Sequence, residues 1–189
     1  MRKISILLLV IPAAFFCLSA VAQSQDEMKA WMAYSTPGEI HKLMAKSVGT
    51  WNGNITMWMK PGAPPMNSTG VMTNTMLMGG RYLQGTNTGN FMGQPYEGIN
   101  MTGYDNAKKM FVSSYIDNMG TGMMYMTGSW DAASNSIQFS GTMVDPMSGK
   151  DIPVREVLKF VDDNNQVFEM YNSMGGQEYK SMEIKYVRK

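Results

Sequence analysis

From Gly49 to Arg188 apolar side chains recur at alternate positions, and glycine, proline, asparagine or aspartate interrupts the alternation at regular intervals. A period of two puts successive side chains on opposite faces of a strand, and the interruptions supply turns, so the pattern predicts antiparallel hairpins. Strands are expected near 49–59, 66–78, 81–89, 96–104, 110–117, 121–130, 136–145, 150–161, 166–173 and 178–188. Upstream, Thr36-Pro37-Gly38-Glu39 reads as a helix start: a hydroxyl to cap free amides, proline at the first helical position and a glutamate three residues after the cap. Ile40, Leu43, Met44 and Val48 then share one face, which predicts a short amphipathic helix over 36–47. Residues 23–35 show no such order and are expected to be flexible.

Many strands with tight turns and no second helix point to an all-β chain. The expected form is a ten-stranded antiparallel up-and-down β-barrel, which closes its own edges, with the N-terminal helix as a plug. The alternative is a two-layer sandwich. Alternation assigns the faces: Trp51, Gly53, Ile55, Met57 and Met59 share one side of the first strand, and Met72, Met76 and Met78 line up with Asn74 in the second. In the last strand Met182, Ile184, Tyr186 and Arg188 share a face, and an arginine there calls for an aromatic neighbour or a carboxylate.

"VGTWNG" at 48–53 ahead of such strands resembles the opening of the lipocalin and nitrobindin-like (calycin-like) barrels, in which Gly-x-Trp begins the first strand after a plugging helix. In lipocalins a late arginine packs across that tryptophan, so the resemblance implies a structural pair of Trp51 and Arg188. Nitrobindin-like barrels hold haem through a histidine on a late strand; "EYKSMEIKYVRK" has none, and Met182 is the one thioether in its place. The longer set "STPGEIHKLMAKSVGTW", "MWMKPGAPPM", "MGGRYL", "MGQPYEG", "GYDNAKK", "DNMGTG", "DPMSGK", "VREV" and "YVRK" resembles the bacterial domain-of-unknown-function 1579 family over residues 35–189. That resemblance implies the barrel and no chemistry.

The first residues, "MRKISILLLVIPAAFFCLSAVAQSQ", run from basic through apolar to small, the order of a secretory signal with cleavage expected after Ala22. The expected mature chain is therefore exported, periplasmic or secreted, without a transmembrane anchor, and has a barrel domain over 36–189. Cys17, the only cysteine, would leave with the leader, so stability would rest on packing rather than a disulfide. The chain carries 16 basic and 15 acidic residues, and loss of Arg2 and Lys3 brings it close to neutral. Nothing in that balance points to nucleic acid as a partner.

Composition alters the picture at methionine. The chain has 22 methionines, while leucine beyond the leader is confined to Leu43, Leu77, Leu83 and Leu158. Methionine can replace leucine as core filler, which suits Met57, Met59, Met72, Met76, Met101 and Met143. It suits the turns less well. In an up-and-down barrel alternate turns gather at one mouth, and the segments PGAPPM (Met66), NFMGQP (Met92), DNMGTG (Met119), DPMSG (Met147) and NSMGG (Met174) would all meet there. Met124 and Met126, beside Trp130, would continue that rim inward, whereas Met123 would face the other way.

These patterns leave three uses for the mouth. The first is a portal for an apolar or amphipathic small molecule, lined by Met57, Met59, Met72, Met76, Met92, Met119, Met124, Met126, Met147 and Met174 with Arg81 as a polar contact. The second is Cu(I) capture by Met57, Met59, Met124 and Met126, or methionine redox chemistry, because thioethers are soft ligands and oxidise readily. The third is contact with a protein or surface. A filled core that the turn methionines merely cover is the bland reading beside them. No cofactor is indicated.

Catalysis has little to stand on. His41, the only histidine, is expected on the solvent side of the helix beside Lys42, and no nucleophile motif accompanies it. Asp105, Asp117, Asp131, Asp145 and Asp162 flank turns, where aspartate caps backbone amides. Arg81, Arg155 and Glu156 interrupt apolar strands and are expected to form a buried pair or to orient a ligand's polar end.

Overall fold

The computed structural model describes the backbone of residues 13–189 and the side chains of residues 24–189; residues 1–12 of the expected leader, and the side chains up to residue 23 including those of Cys17 and Ala22, lie outside the described residues. The chain falls into two units, Met1–Thr36 and Pro37–Lys189. In the first, α1 (Ala13–Ser35) includes the segment expected to be flexible. Its residues from Gln23 to Lys29 favour helix individually despite lacking an apolar stripe, and the Thr36 hydroxyl donates back to the Met32 carbonyl at 2.6 Å.

The second unit begins with α2 (Glu39–Ala45), shorter than expected and differently capped. With the Thr36 hydroxyl turned back, Gly38 becomes the cap residue. Its amide donates to His41 Nδ1 at 3.0 Å, and its carbonyl accepts the His41 amide at 3.0 Å. His41 is therefore buried rather than solvent-facing, edge-on to Tyr104 with ring centroids 6.0 Å apart. Burial, with the Arg81 charge adding to it, holds its imidazole below the usual histidine range.

Ten strands follow: β1 (Gly49–Met57), β2 (Met66–Leu77), β3 (Tyr82–Phe91), β4 (Gln94–Asp105), β5 (Met110–Asp117), β6 (Met124–Asp131), β7 (Ser136–Asp145), β8 (Lys150–Asp162), β9 (Asn165–Met174) and β10 (Gln177–Arg188). Each pairs antiparallel with its sequence neighbours, and β1 pairs with β10 from Trp51↔Arg188 to Met57↔Met182, so the sheet closes. Closure leaves no free edge, and the sandwich alternative is excluded. Asp105, Asp117, Asp131, Asp145 and Asp162 each accept a backbone amide two residues on, in the role the sequence assigned them.

The barrel is sealed where α2 enters it. Trp51 is fully buried, and its indole nitrogen donates to the Ser47 carbonyl at 2.9 Å. Asn74 of β2 donates to that same carbonyl at 3.0 Å, and Gln166 of β9 reaches the Ser47 hydroxyl at 3.0 Å. The Arg188 guanidinium lies 4.1 Å from the Trp51 ring centre while donating to the carbonyls of Lys46, Val48 and Asp163. Thus the expected Trp51–Arg188 pair is present. Met44, Leu83, Phe111, Ile137 and Phe160 pack in one buried cluster with Ile40 and Leu43 against it.

Trp51→Ala should lower the unfolding free energy by about 3–5 kcal/mol, the usual range for removing a fully buried tryptophan. Urea titration checks this, and a loss below about 1 kcal/mol would show that the seal does not depend on the ring.

Candidate functional site

Strand parity and register decide what faces the lumen. Along β1 the inward positions are Trp51, Gly53, Ile55 and Met57, and each following strand continues the alternation. Near α2 these inward side chains are buried. From mid-barrel outward the burial is mixed: Met126, Phe139 and Val154 stay buried, while Ile55, Asn87, Asn100, Glu156, Leu158, Phe168 and Met170 are half-buried although they point into a closed wall. Of these, Leu158 and Met170 pack against the Met44 cluster and Ile55 and Phe168 against the Trp51 cluster, and each keeps some accessible surface beyond that packing. Glycines make room for rings on the inner face: Tyr186 packs on Gly53, the hydroxyl end of Tyr115 on Gly98 and Phe139 on Gly128, each where a β-carbon would collide with the ring.

Register also assembles something no single strand reveals. Met66 is paired with Met57, Met57 with Met182, Met182 with Met170, and Met170 with Glu156. Four methionines on adjacent strands thus form an inward row that runs from the mouth to one carboxylate, each pair close enough for side-chain contact. Phe139 is Glu156's register partner on the other side. Glu156 has no hydrogen-bond or ion-pair partner among the described residues, and burial alone pushes its pKa up to about 7. Tyr186 is near enough to Glu156 to feel its charge, and Tyr96 and Tyr115 neighbour Tyr186 and Asp117; burial is the chief cause holding all three phenols above the usual tyrosine range, so they remain protonated donors. The Tyr96 and Tyr115 hydroxyls are hydrogen-bonded to each other.

Glu156 does not pair with Arg155, as the sequence allowed. A one-residue offset puts Arg155 on the outer surface, where it makes a two-pronged contact with Glu178 at 3.0 and 2.8 Å and covers the Tyr171 ring at 3.8 Å. Arg81 lies in the turn after β2, at the plugged end, donating to the Met78 carbonyl at 2.9 Å. It is not at the mouth.

Among the expected lining residues, Met57, Met124 and Met126 face inward. Met72 and Met76 do so as well, but toward the plug, where they belong to or pack on the apolar clusters. Met92, Met119, Met147 and Met174 stand exposed in the turns of the open end, Met147 at 93%. Met92 also adopts φ +52°, a left-handed conformation better suited to glycine or asparagine, so backbone geometry is not what favours methionine there. Two expected core methionines move outward: Met59 lies beyond the end of β1 and is exposed, and Met101 takes the outward parity of the exposed Ile99. Met78, expected to line up with Met72 and Met76, occupies an exposed left-handed turn position. The proposed Cu(I) quartet is divided, because β1 with Met57 and β6 with Met124 and Met126 are five strands apart in either direction around the ring.

Residues 36–188 match the sequence profile of the family described as "Protein of unknown function (DUF1579)". No curated protein matches the chain significantly. The crystal structure of Rv2717c from M. tuberculosis superposes with a TM-score of 0.61 at 11% identity, covering 82% of this chain and 99% of that one. The S-type phycobiliprotein lyase CPES from Guillardia theta gives 0.56 at 8% identity, covering 84% and 96%. At these identities the likeness is one of fold.

The isolation of Glu156 has a measurable sign. Between the ordinary value of 4.5 and about 7, the folded protein keeps a proton that the unfolded chain has released, so the stability associated with the neutral carboxyl is lost as pH rises through that window. Glu156→Gln removes this dependence. Its unfolding free energy relative to wild type, from urea titrations, should therefore climb between about pH 4.5 and pH 7 and then level off. A difference that stays flat would mean the carboxyl is not desolvated.

Proposed function

Because the chain belongs to the family described as Protein of unknown function (DUF1579), which brings no activity with it, we propose from its own geometry that the lumen binds a small apolar or amphipathic molecule. The molecule enters by the methionine-rimmed end. One observation carries this reading: inward side chains keep accessible surface inside a closed wall whose other end is sealed by α2 and the Trp51 cluster. Methionine suits such a portal because its flexible, polarizable side chain adapts to varied shapes. The S-type phycobiliprotein lyase from Guillardia theta has a similar fold, but the proposal here is binding without catalysis. It also places the protein outside the cytoplasm, after removal of a leader ending at Ala22.

A neutral fluorescent probe such as N-phenyl-1-naphthylamine should brighten on binding to the wild-type protein. Met170→Trp, which adds bulk beside Glu156, should weaken that binding at least about tenfold, whereas Met147→Trp in the exposed rim should change it little. Equal affinities in all three proteins would contradict a lumen site.

The methionine row favours one second reading, soft-metal binding. Met170, Met182 and Met57 stand on consecutive strands in direct register, which the quartet suggested by spacing does not achieve. Replacing Met57 and Met182 together with leucine should preserve probe binding and abolish any Cu(I) affinity, measured by competition with a chelator. Copper retained by the double variant would remove the row as a metal site.

A further inference from the structure

Resting on the lumen-binding reading, we infer that the molecule held there is an organic cation: a protonated amine or similar group seated at Glu156, with an apolar body lying along the methionine row toward the mouth. The first argument is charge. Glu156 is enclosed by the wall, and no lysine or arginine of the strands shares the mid-barrel lumen with it. Arg155, Lys159, Lys180 and Lys185 take outward positions and engage Glu178, Glu169 and Glu183 there. Arg188 is occupied at the plugged end, and Lys150 is exposed at the rim. Asp117, at the mouth end of β5 beside Tyr96 and Tyr115, adds further negative potential along the way in. A carboxylate ligand would therefore meet only like charge, whereas an ammonium would supply the partner Glu156 lacks.

The second argument is hydrogen-bond capacity. Of the buried side-chain atoms without a partner among the described residues, Asn74 Oδ1 and Gln166 Oε1 belong to the sealed end, whereas Ser68 Oγ and Asn172 Oδ1 lie in the mouthward half of β2 and β9, and both can accept. Asn172 is two positions mouthward of Met170 on β9, diagonal to Glu156. Unmet acceptors of this kind suit a ligand that donates. The third is aromatic surface. Tyr186 faces the same interior, and a cation near a phenol face and a carboxylate gains from both. Beyond Glu156 the row Met170, Met182, Met57, Met66 offers only thioether and methylene surface, a track for a chain or ring system.

The test compares three probes of one length, n-decylamine, n-decanol and n-decanoate. Each is titrated below its micelle concentration by calorimetry at about pH 8, where the amine is protonated and a carboxyl of pKa about 7 is largely ionised. Wild type should bind the amine at least about tenfold more tightly than the alcohol, and the carboxylate most weakly. Glu156→Gln, a neutral isostere that relieves a buried charge, should bring amine and alcohol to within about twofold while leaving the alcohol's affinity unchanged. If the alcohol or carboxylate binds wild type as well as the amine, or if the variant retains the preference for the amine, the cation inference falls while the lumen reading stands. If none of the three binds, both fall together.

Discussion

The structure depends on how the three residues linking α2 to β1 are held. The Lys46, Ser47 and Val48 carbonyls would be orphaned acceptors at the end of a short helix, yet each is claimed: Ser47 by the Trp51 indole and Asn74, Lys46 and Val48 by Arg188. The donors come from β1, β2 and β10, and Gln166 of β9 holds the Ser47 hydroxyl. One short link is thereby fastened to four strands around the closure seam. The stacking of Arg188 on Trp51 keeps the guanidinium where it can reach those carbonyls without leaving an unpaired charge. Because the helix is tethered there, it can seal only one end.

The asymmetry of the barrel follows. From the sealed end, methionine, leucine, phenylalanine and isoleucine form a close-packed cluster that extends along β6, β7 and β8 to Met126, Phe139 and Val154, with Met124, Met143 and Met170 packed on it. Toward the other end the wall is lined with glycine, asparagine and tyrosine, and its turns carry exposed methionines. Charge is sorted radially as well. On β8 to β10 the outer face holds an ion-pair network around Glu169, nearly buried between Lys180 and Lys159, while Glu156 stands inside with nothing to neutralise it. Charge on a solvated face contributes little either way. An isolated interior carboxyl is costly to ionise, and its presence is the feature that a filled structural core would not call for.

Much of this was legible in the chain. Alternation located all ten strands to within a few residues, because half-buried antiparallel strands carry the strongest short-range pattern a sequence offers. The Gly-x-Trp opening and the late arginine anticipated the seal. The gathering of methionine turns at one end followed from up-and-down connectivity alone. Other features depended on information that no single strand contains. The row from Met66 to Glu156 exists only through register across β2, β1, β10, β9 and β8, and its members are far apart in sequence. His41 was misplaced because its ring replaces the expected glutamate in capping, a substitution visible only once Thr36 is seen turned back onto α1. Arg155 and Glu156 looked like a pair because they are adjacent in sequence, but adjacent residues of a strand point to opposite faces.

The central claim is that the barrel interior between Glu156 and the open end is space for a guest rather than packed core. A high-resolution crystal structure of the protein purified from its own cells tests it directly. Ordered water or ligand density beside Glu156, with the tyrosine rings flat against their glycines, is the predicted result. Met170, Met182 and Phe168 collapsed together across the lumen, with Glu156 turned out to solvent, would contradict it.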